Sequence, residues 1–365
     1  MAGQQKRRPS PRPSSFIING KNGPIEVPVM PYPWPEPGTF SWKMKEKGYP
    51  LLTPEIASIT SLAPEHLEYM LGCRIVNYHR GGFRELHVPQ YTSGLSADIL
   101  RFALGSEWFE RAVNAESASP ITEYLWRPPN DHAAEARTRR RATVLAEGIF
   151  NLQSVPGLSY RTRLIAKNQS DLQSAIGEFE CAGVLACLNR QFSFVEPTGR
   201  KGCDYDAHFL SPAGRQLCCE IKAKSTSSLP SPQTILNTLE SARKQLPKER
   251  PSIIYLRVPE HWSKETDLEA WFLRATEKLF RQSNRVVAAV LAVETWTEIK
   301  DHSIWRTRLE TYPYYNHRSR FFDEDVPQAL EVWRTDREVE WFSLQNYVRE
   351  SLPRLCQRVW PHIGL

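Results

Sequence analysis

The feature that most constrains this chain is a pair of strand patterns, DYDAHFL at 204–210 and QLCCEIKAK at 216–224, joined by SPAGR. Proline, alanine and glycine between two alternating runs are hairpin-turn chemistry. The period of two along a strand then sets orientation. Asp204, Asp206, Glu220 and Lys222 share parity, and pairing centred on the turn sets Asp206 opposite Glu220 and Asp204 opposite Lys222. His208 has the same parity and reads as a base or as a polar strand histidine. Carboxylates and one ammonium are thus expected on one face of a hairpin.

Neighbouring carboxylates raise one another's pKa and resist ionising together, a conflict that a divalent cation relieves. Asp204, Asp206, Glu220 and the backbone carbonyl of Ile221 are the candidate ligands. They form a hard oxygen environment suited to Mg2+ or Mn2+. Such an ion lowers the pKa of a bound water and offsets the charge of a phosphate. Lys222 is then placed to orient or deprotonate that water, or to stabilise a pentacovalent phosphorus. The competing reading is a solvated strand face whose cross-strand ion pair is worth only ~0.2–1 kcal/mol. Against it, Leu217, Cys219 and Ile221 make one apolar face while Cys218 shares the other with Glu220 and Lys222, which suits a partly enclosed cleft.

The surroundings extend the pattern. DLQSAIGEFECAGVLACLN has helical spacing, QFSFVEP reads as a short strand, and the GRKG turn leads into the hairpin. After it come a helix (SPQTILNTLESARKQL), a strand (SIIYLRVP), a helix (KETDLEAWFLRATEKLFRQ) and a strand (RVVAAVLAVETW). This order predicts an α/β sandwich around a mixed sheet. In that setting the Asp204 to Lys222 segment resembles the core motif of the PD-(D/E)XK, or restriction-endonuclease-like, superfamily, which pairs an Asp at the start of one strand with acidic-x-Lys in the next. Cys203 stands where the motif has its proline.

The resemblance covers roughly residues 171 to 296. It implies a restriction-endonuclease-like mixed sheet flanked by helices, and a divalent-metal-dependent nuclease hydrolysing phosphodiester bonds in DNA or, less readily, RNA. It also implies a further Glu from the first core helix. Glu180 is preferred over Glu178, and the two lie about 200° apart on a helix. A polar residue is expected from the helix after the hairpin, Gln245 or Lys244. Arg200 and Lys201 of the GRKG turn, which reads equally as an ordinary basic turn, are candidate phosphate contacts together with Lys224 and Lys244. The alternative is a catalytically silent nuclease fold that binds nucleic acid or serves as an assembly subunit.

At 365 residues the chain exceeds the ~100–200 of a single domain. The expected organisation is a disordered basic tail over 1–15 and a mainly helical N-terminal domain over 16–155. A nuclease-like core over 156–300 and a C-terminal extension over 301–365 complete it. The tail is too polar and Pro-rich to offset the entropy of ordering. Prolines alternating around Tyr32 and Trp34 predict an extended covering segment. TPEIASITSL, APEHLEYML, ADILRFALGSEWFERAV and HAAEARTRRRATVLAEGIF predict helices, with a hairpin or loop around Gly81-Gly82. This domain is the candidate seat of specificity, or of a homodimer or protein contact. SLQNYVRESLPRLCQRVW predicts a closing helix interrupted at Pro353.

The net charge of +6 tolerates an anionic partner, and its distribution matters more than its sum. Lys6-Arg7-Arg8 and the group Arg137, Arg139, Arg140 and Arg141 read as phosphate contacts or as solvated surface. Aromatic and Arg residues interleaved after Trp296 suit stacking on nucleic acid or an ordinary core. Seven cysteines without a CxxC pair predict reduced thiols. Cys203, His208 and Cys218 lack the paired short spacings of a closed zinc site. No apolar run approaches the ~20 residues of a membrane span, and the N-terminus has no signal-peptide core. A cytoplasmic protein without a membrane partner is expected.

Overall fold

The computed structural model describes residues 15–20, 23–28, 62, 64–80, 88–114, 125, 132–167, 172–187, 191–200, 202–300, 304–331 and 343–359. Within these, residues of 1–51, 63–95 and 345–365 form one compact unit, and residues of 52–62 and 96–344 form another. The expected tail over 1–15 apart from Ser15, which opens a strand, the Pro-aromatic stretch over 29–50, the helix at 53–62 apart from Leu62, and the Gly81-Gly82 turn lie outside the described residues.

Two short strands, β1 (Ser15–Gly20) and β2 (Gly23–Pro28), pair antiparallel within the stretch expected to be extended. Helices follow: α1 (Pro64–Arg80), α2 (Val88–Leu104), α3 (Ser106–Asn114) and α4 (His132–Asn151). RIVNYHR, expected as the start of a hairpin, continues α1. The single helix expected over ADILRFALGSEWFERAV is split at Gly105, whose φ of 95° ends α2 in a left-handed turn. In α4, Arg139 pairs with Glu135, and Arg140 lies 4.0 Å from Glu147, so part of the basic group has acidic partners of its own.

The larger unit is built on a six-stranded mixed sheet in the order β3-β4-β5-β6-β7-β8. Its strands are β3 (Phe192–Phe194), β4 (Ala207–Leu210), β5 (Gln216–Ala223), β6 (Ser252–Val258), β7 (Val286–Lys300) and β8 (Ile304–Tyr315). β5, β6 and β7 run parallel, and the remaining pairs are antiparallel. Every residue of β6 is buried, as a central strand covered on both faces requires. The edge strand β8 lies in the stretch expected as an extension, so the sheet continues past residue 300.

Two helices cover one face. α7 (Pro232–Gln245) starts on Ser231, whose hydroxyl accepts from Thr234 N, and α8 (Leu268–Arg281) buries Leu268, Phe272, Ala275 and Leu279 along one stripe. They enclose a core with Cys218, Ile254, Leu256, Val258 and Trp262. Tyr312 and Tyr314 of β8 pack against that core, so these two aromatics of the Arg-rich segment serve packing. On the other face α6 (Leu172–Cys187) lies close to β5, because Gly177 carries no side chain: a Cβ there would stand 3.0 Å from Ala223 Cβ. Ahead of it runs α5 (Leu158–Lys167). After the sheet come α9 (Asp325–Leu330) and α10 (Leu344–Val359). Pro353 sits inside α10 without ending it, which corrects the expected interruption.

Candidate active site at the parting of two strands

The hairpin has the register that the sequence implies. Ala207 pairs with Cys219, His208 with Cys218 and Phe209 with Leu217, which carries Asp206 opposite Glu220. The turn closes through Ser211 and Arg215, with Gly214 at a φ of 78°. Arg215 then anchors it through two 2.8 Å hydrogen bonds to Asp323.

The pairing stops at Ala207, and the chain before it bends away from β5. Asp206 fills the opening: its main-chain N donates to the Cys219 carbonyl at 3.2 Å, and its Oδ2 accepts from Ile221 N at 2.7 Å. Cys218 N and Lys224 N point to the β6 side, so alternation along the strand turns the Ile221 N–H and carbonyl toward the opening. The expected main-chain ligand is therefore directed at the site.

Glu220 is fully buried, 0 % exposed. Lys222 Nζ stands 2.5 Å from its Oε1, and beyond that ion pair neither carboxylate oxygen has a hydrogen-bond partner among the described residues. Burial and the neighbouring Asp206 push its pKa from 4.5 up to about 8, against the pull of Lys222. Burial also raises Asp206, opposed by Lys222 and Arg161. Glu178, on α6, is raised well above the usual carboxylate range by burial and by Asp206. Three carboxyl groups thus share one small buried region.

Arg161 completes the group and has no motif of its own in the sequence. Its Nε lies 2.9 Å from Glu178 Oε2, and its Nη2 lies 3.2 Å from both Asp206 Oδ1 and the Asp206 carbonyl. A glycine brings it there. Gly157, at a φ of 86°, precedes α5 where a Cβ would stand 2.5 Å from the Phe194 carbonyl oxygen, and the neighbouring Pro156 carbonyl accepts from Phe194 N at 2.9 Å. The seat of α5 on β3 fixes Arg161.

Several expected residues stand elsewhere. Asp204 precedes the paired strand, where strand parity no longer governs it, and its Oδ1 accepts from Thr198 N at 2.6 Å and Thr198 Oγ1 at 3.0 Å. Of the two aspartates, Asp206 joins the cluster. Glu180, preferred over Glu178, points instead to Arg257, whose Nε is 2.9 Å away and whose Nη2 also reaches Glu294 at 2.6 Å. Helical phase separates the two glutamates, and the helix turns Glu178 to the cluster.

Lys244 and Gln245 end α7, near the start of β6: Arg243 O accepts from Arg285, just before β7. Ser252 pairs with Cys218, whereas Lys222 pairs with Leu256 farther along, so this helix end lies at the opposite end of β5 from Lys222. Arg200 is exposed on the turn before Asp204, and Lys201 lies outside the described residues. Lys224 is half-buried, and burial together with Lys222 lowers its pKa. His208 stands on β4, its pKa lowered by burial and by Arg250, with Nδ1 lacking a hydrogen-bond partner among the described residues. Cys203 is exposed and Cys218 buried, both free thiols.

The residues fit a divalent cation in one respect. A buried carboxylate with unclaimed lone pairs, Glu220, stands beside Asp206 and a carbonyl directed into the same opening. Two carboxylates, one carbonyl and water are donors that suit Mg2+ or Mn2+. No group of three His, Cys, Asp or Glu side chains arranged to hold an ion is found among the described residues, and Glu178 and Asp206 are both engaged by Arg161. Comparison of the chain with family models, with curated proteins and with solved structures gave no match.

Proposed function

We propose that this protein is a metal-dependent nuclease with a restriction-endonuclease-like core, hydrolysing phosphodiester bonds in DNA. The observation that carries the reading is Glu220: a fully buried carboxylate, opposite Asp206, whose ion-pair partner among the described residues is Lys222. Such a group is costly in a metal-free interior and useful beside a cation. The mixed sheet, with helices on both faces and the cluster where β4 leaves β5, supports the same reading.

In this mechanism Glu220, Asp206 and the Ile221 carbonyl would hold the cation. A divalent ion there supplies a water of lowered pKa and positive charge beside the scissile phosphate. Lys222, 28 % exposed and tied to Glu220, orients the attacking water and donates to the phosphate as negative charge develops. Arg161 would hold Asp206 in place through Nη2, which donates to both its Oδ1 and its main-chain carbonyl. Beyond β5, Lys224 and a run of hydroxyls, Ser225 with Ser227 at 2.9 Å and with Ser228 at 2.8 Å, offer donors to the nucleic-acid backbone.

Incubation with Mn2+ or Mg2+ and linear, circular and single-stranded DNA, with RNA alongside, tests the proposal. Wild type should cleave at least one substrate, and EDTA should abolish cleavage. Glu220→Ala and Lys222→Ala should each lose roughly 100-fold or more, the scale on which catalytic electrostatics act. Equal behaviour of wild type and Glu220→Ala on every substrate would remove the enzymatic reading. One observation favours a second reading, a silent fold that binds nucleic acid: Arg161 already engages two of the three carboxylates. That reading requires retained DNA binding in a gel-shift assay with no cleavage under any metal.

A further inference from the structure

We propose that Arg161 is a built-in counter-ion that restricts this centre to one divalent cation, taking the role that a second ion would otherwise fill. The inference rests on the metal-dependent reading above and concerns how many ions that centre accepts. Glu178, Asp206 and Glu220 bring three carboxyl groups together, and Lys222 and Arg161 bring two fixed cations. With all three carboxyls ionised, one divalent ion leaves the group with a single positive charge, matched to one phosphodiester. Two ions would leave three positive charges in a region from which water is largely excluded, an arrangement with a large desolvation cost.

The geometry divides the carboxylates in the same way. Arg161 takes Glu178 through Nε at 2.9 Å and Asp206 through Nη2 at 3.2 Å, and the same Nη2 reaches the Asp206 carbonyl. Its side chain is 9 % exposed, so the guanidinium is held among the carboxylates rather than in solvent. Glu178 and one oxygen of Asp206 are therefore committed to a cation supplied by the chain. Glu220 and the Ile221 carbonyl remain for an ion from solution, and Asp206, whose Oδ2 also accepts from Ile221 N, stands between the two sets. Removing the guanidinium would release Glu178 and one oxygen of Asp206 as oxygen donors for a second ion.

Mn2+ titration of the full chain by calorimetry, with electron paramagnetic resonance of the saturated protein, tests this. Wild type should bind one equivalent and give a mononuclear Mn2+ spectrum. Arg161→Met should bind two equivalents and give a spin-coupled pair, while Arg161→Lys, which keeps a charge, should stay at one. Two equivalents or a coupled spectrum in wild type would overturn the inference and leave the metal-dependent reading standing. One equivalent in a folded Arg161→Met would also overturn it. No binding by wild type would overturn the metal reading, and the inference with it. Should Arg161→Met fail to fold, the wild-type count and spectrum decide between one ion and two.

Discussion

A fully buried carboxyl group, with one ion-pair partner among the described residues, makes Glu220 a pH-dependent load on the fold. Its ordinary pKa of 4.5 applies to the unfolded chain, and about 8 applies to the folded one. Between those values the folded protein retains a proton that the unfolded chain has released. Stability is therefore greatest below the lower value and falls as pH rises through the window, by at most about 5 kcal/mol. Asp206 and Glu178 are raised as well, so they act in the same direction. Urea midpoints in EDTA should fall from pH 5 to pH 8, and Glu220→Gln should flatten the slope; an unchanged slope in that variant would assign the effect elsewhere. Mn2+ at pH 8 should restore the midpoint of wild type and not of the variant. A second prediction separates the two glutamates of α6. Glu178→Gln should reduce cleavage more than tenfold, whereas Glu180→Gln should lower the urea midpoint with cleavage nearly intact. Strand parity in the sequence was enough to pair Asp206 with Glu220. It overreached at Asp204, because alternation holds only where the backbone stays extended and paired.

At the scale of elements, α5 is positioned by a residue that carries no side chain. Gly157→Ala meets both a left-handed φ and a carbonyl oxygen at 2.5 Å, and should destabilise the protein by about 1–3 kcal/mol or more. Gly214→Ala is the control: its φ is also positive, but nothing lies within 4 Å of the added Cβ, so strain of about 1 kcal/mol is expected. Urea unfolding of the two variants should show the difference, and equal losses would mean that the contact with β3 is dispensable. Ser231→Ala should cost about 1 kcal/mol through loss of the cap on α7. Most elements of the sheet unit were legible because each carries a local signal: the cap and proline opening α7, the one-sided stripe of α8, the turn at Gly214. Less legible were continuities that no local rule controls. α1 runs on through Arg80, and α10 passes through Pro353 although that residue supplies no N–H to the preceding turn.

Across the whole molecule, a buried cation ties helix to sheet. Arg257 of β6, 2 % exposed, binds Glu180 of α6 and Glu294 of β7 on the face opposite the α7 and α8 core. Arg257→Met should cost about 3–5 kcal/mol, since it leaves two carboxylates without their shared counter-ion. Chemical denaturation measures it, and a loss below 1 kcal/mol would show that the two glutamates reach water instead. Arg161 and Arg257 share a lesson about what a sequence discloses. Period-two alternation, turn chemistry and helix caps act over a few residues, so the chain alone defined the hairpin, its register and the acidic face that holds Asp206 and Glu220. Arg161 lies 45 residues from Asp206 in the chain, and Arg257 lies 77 from Glu180. Which arginine meets which carboxylate depends on how α5 and α6 pack against the sheet, through the close approaches at Gly157 and Gly177. Those approaches are long-range packing events, and only the folded chain settles that Glu178 rather than Glu180, and Asp206 rather than Asp204, enter the site.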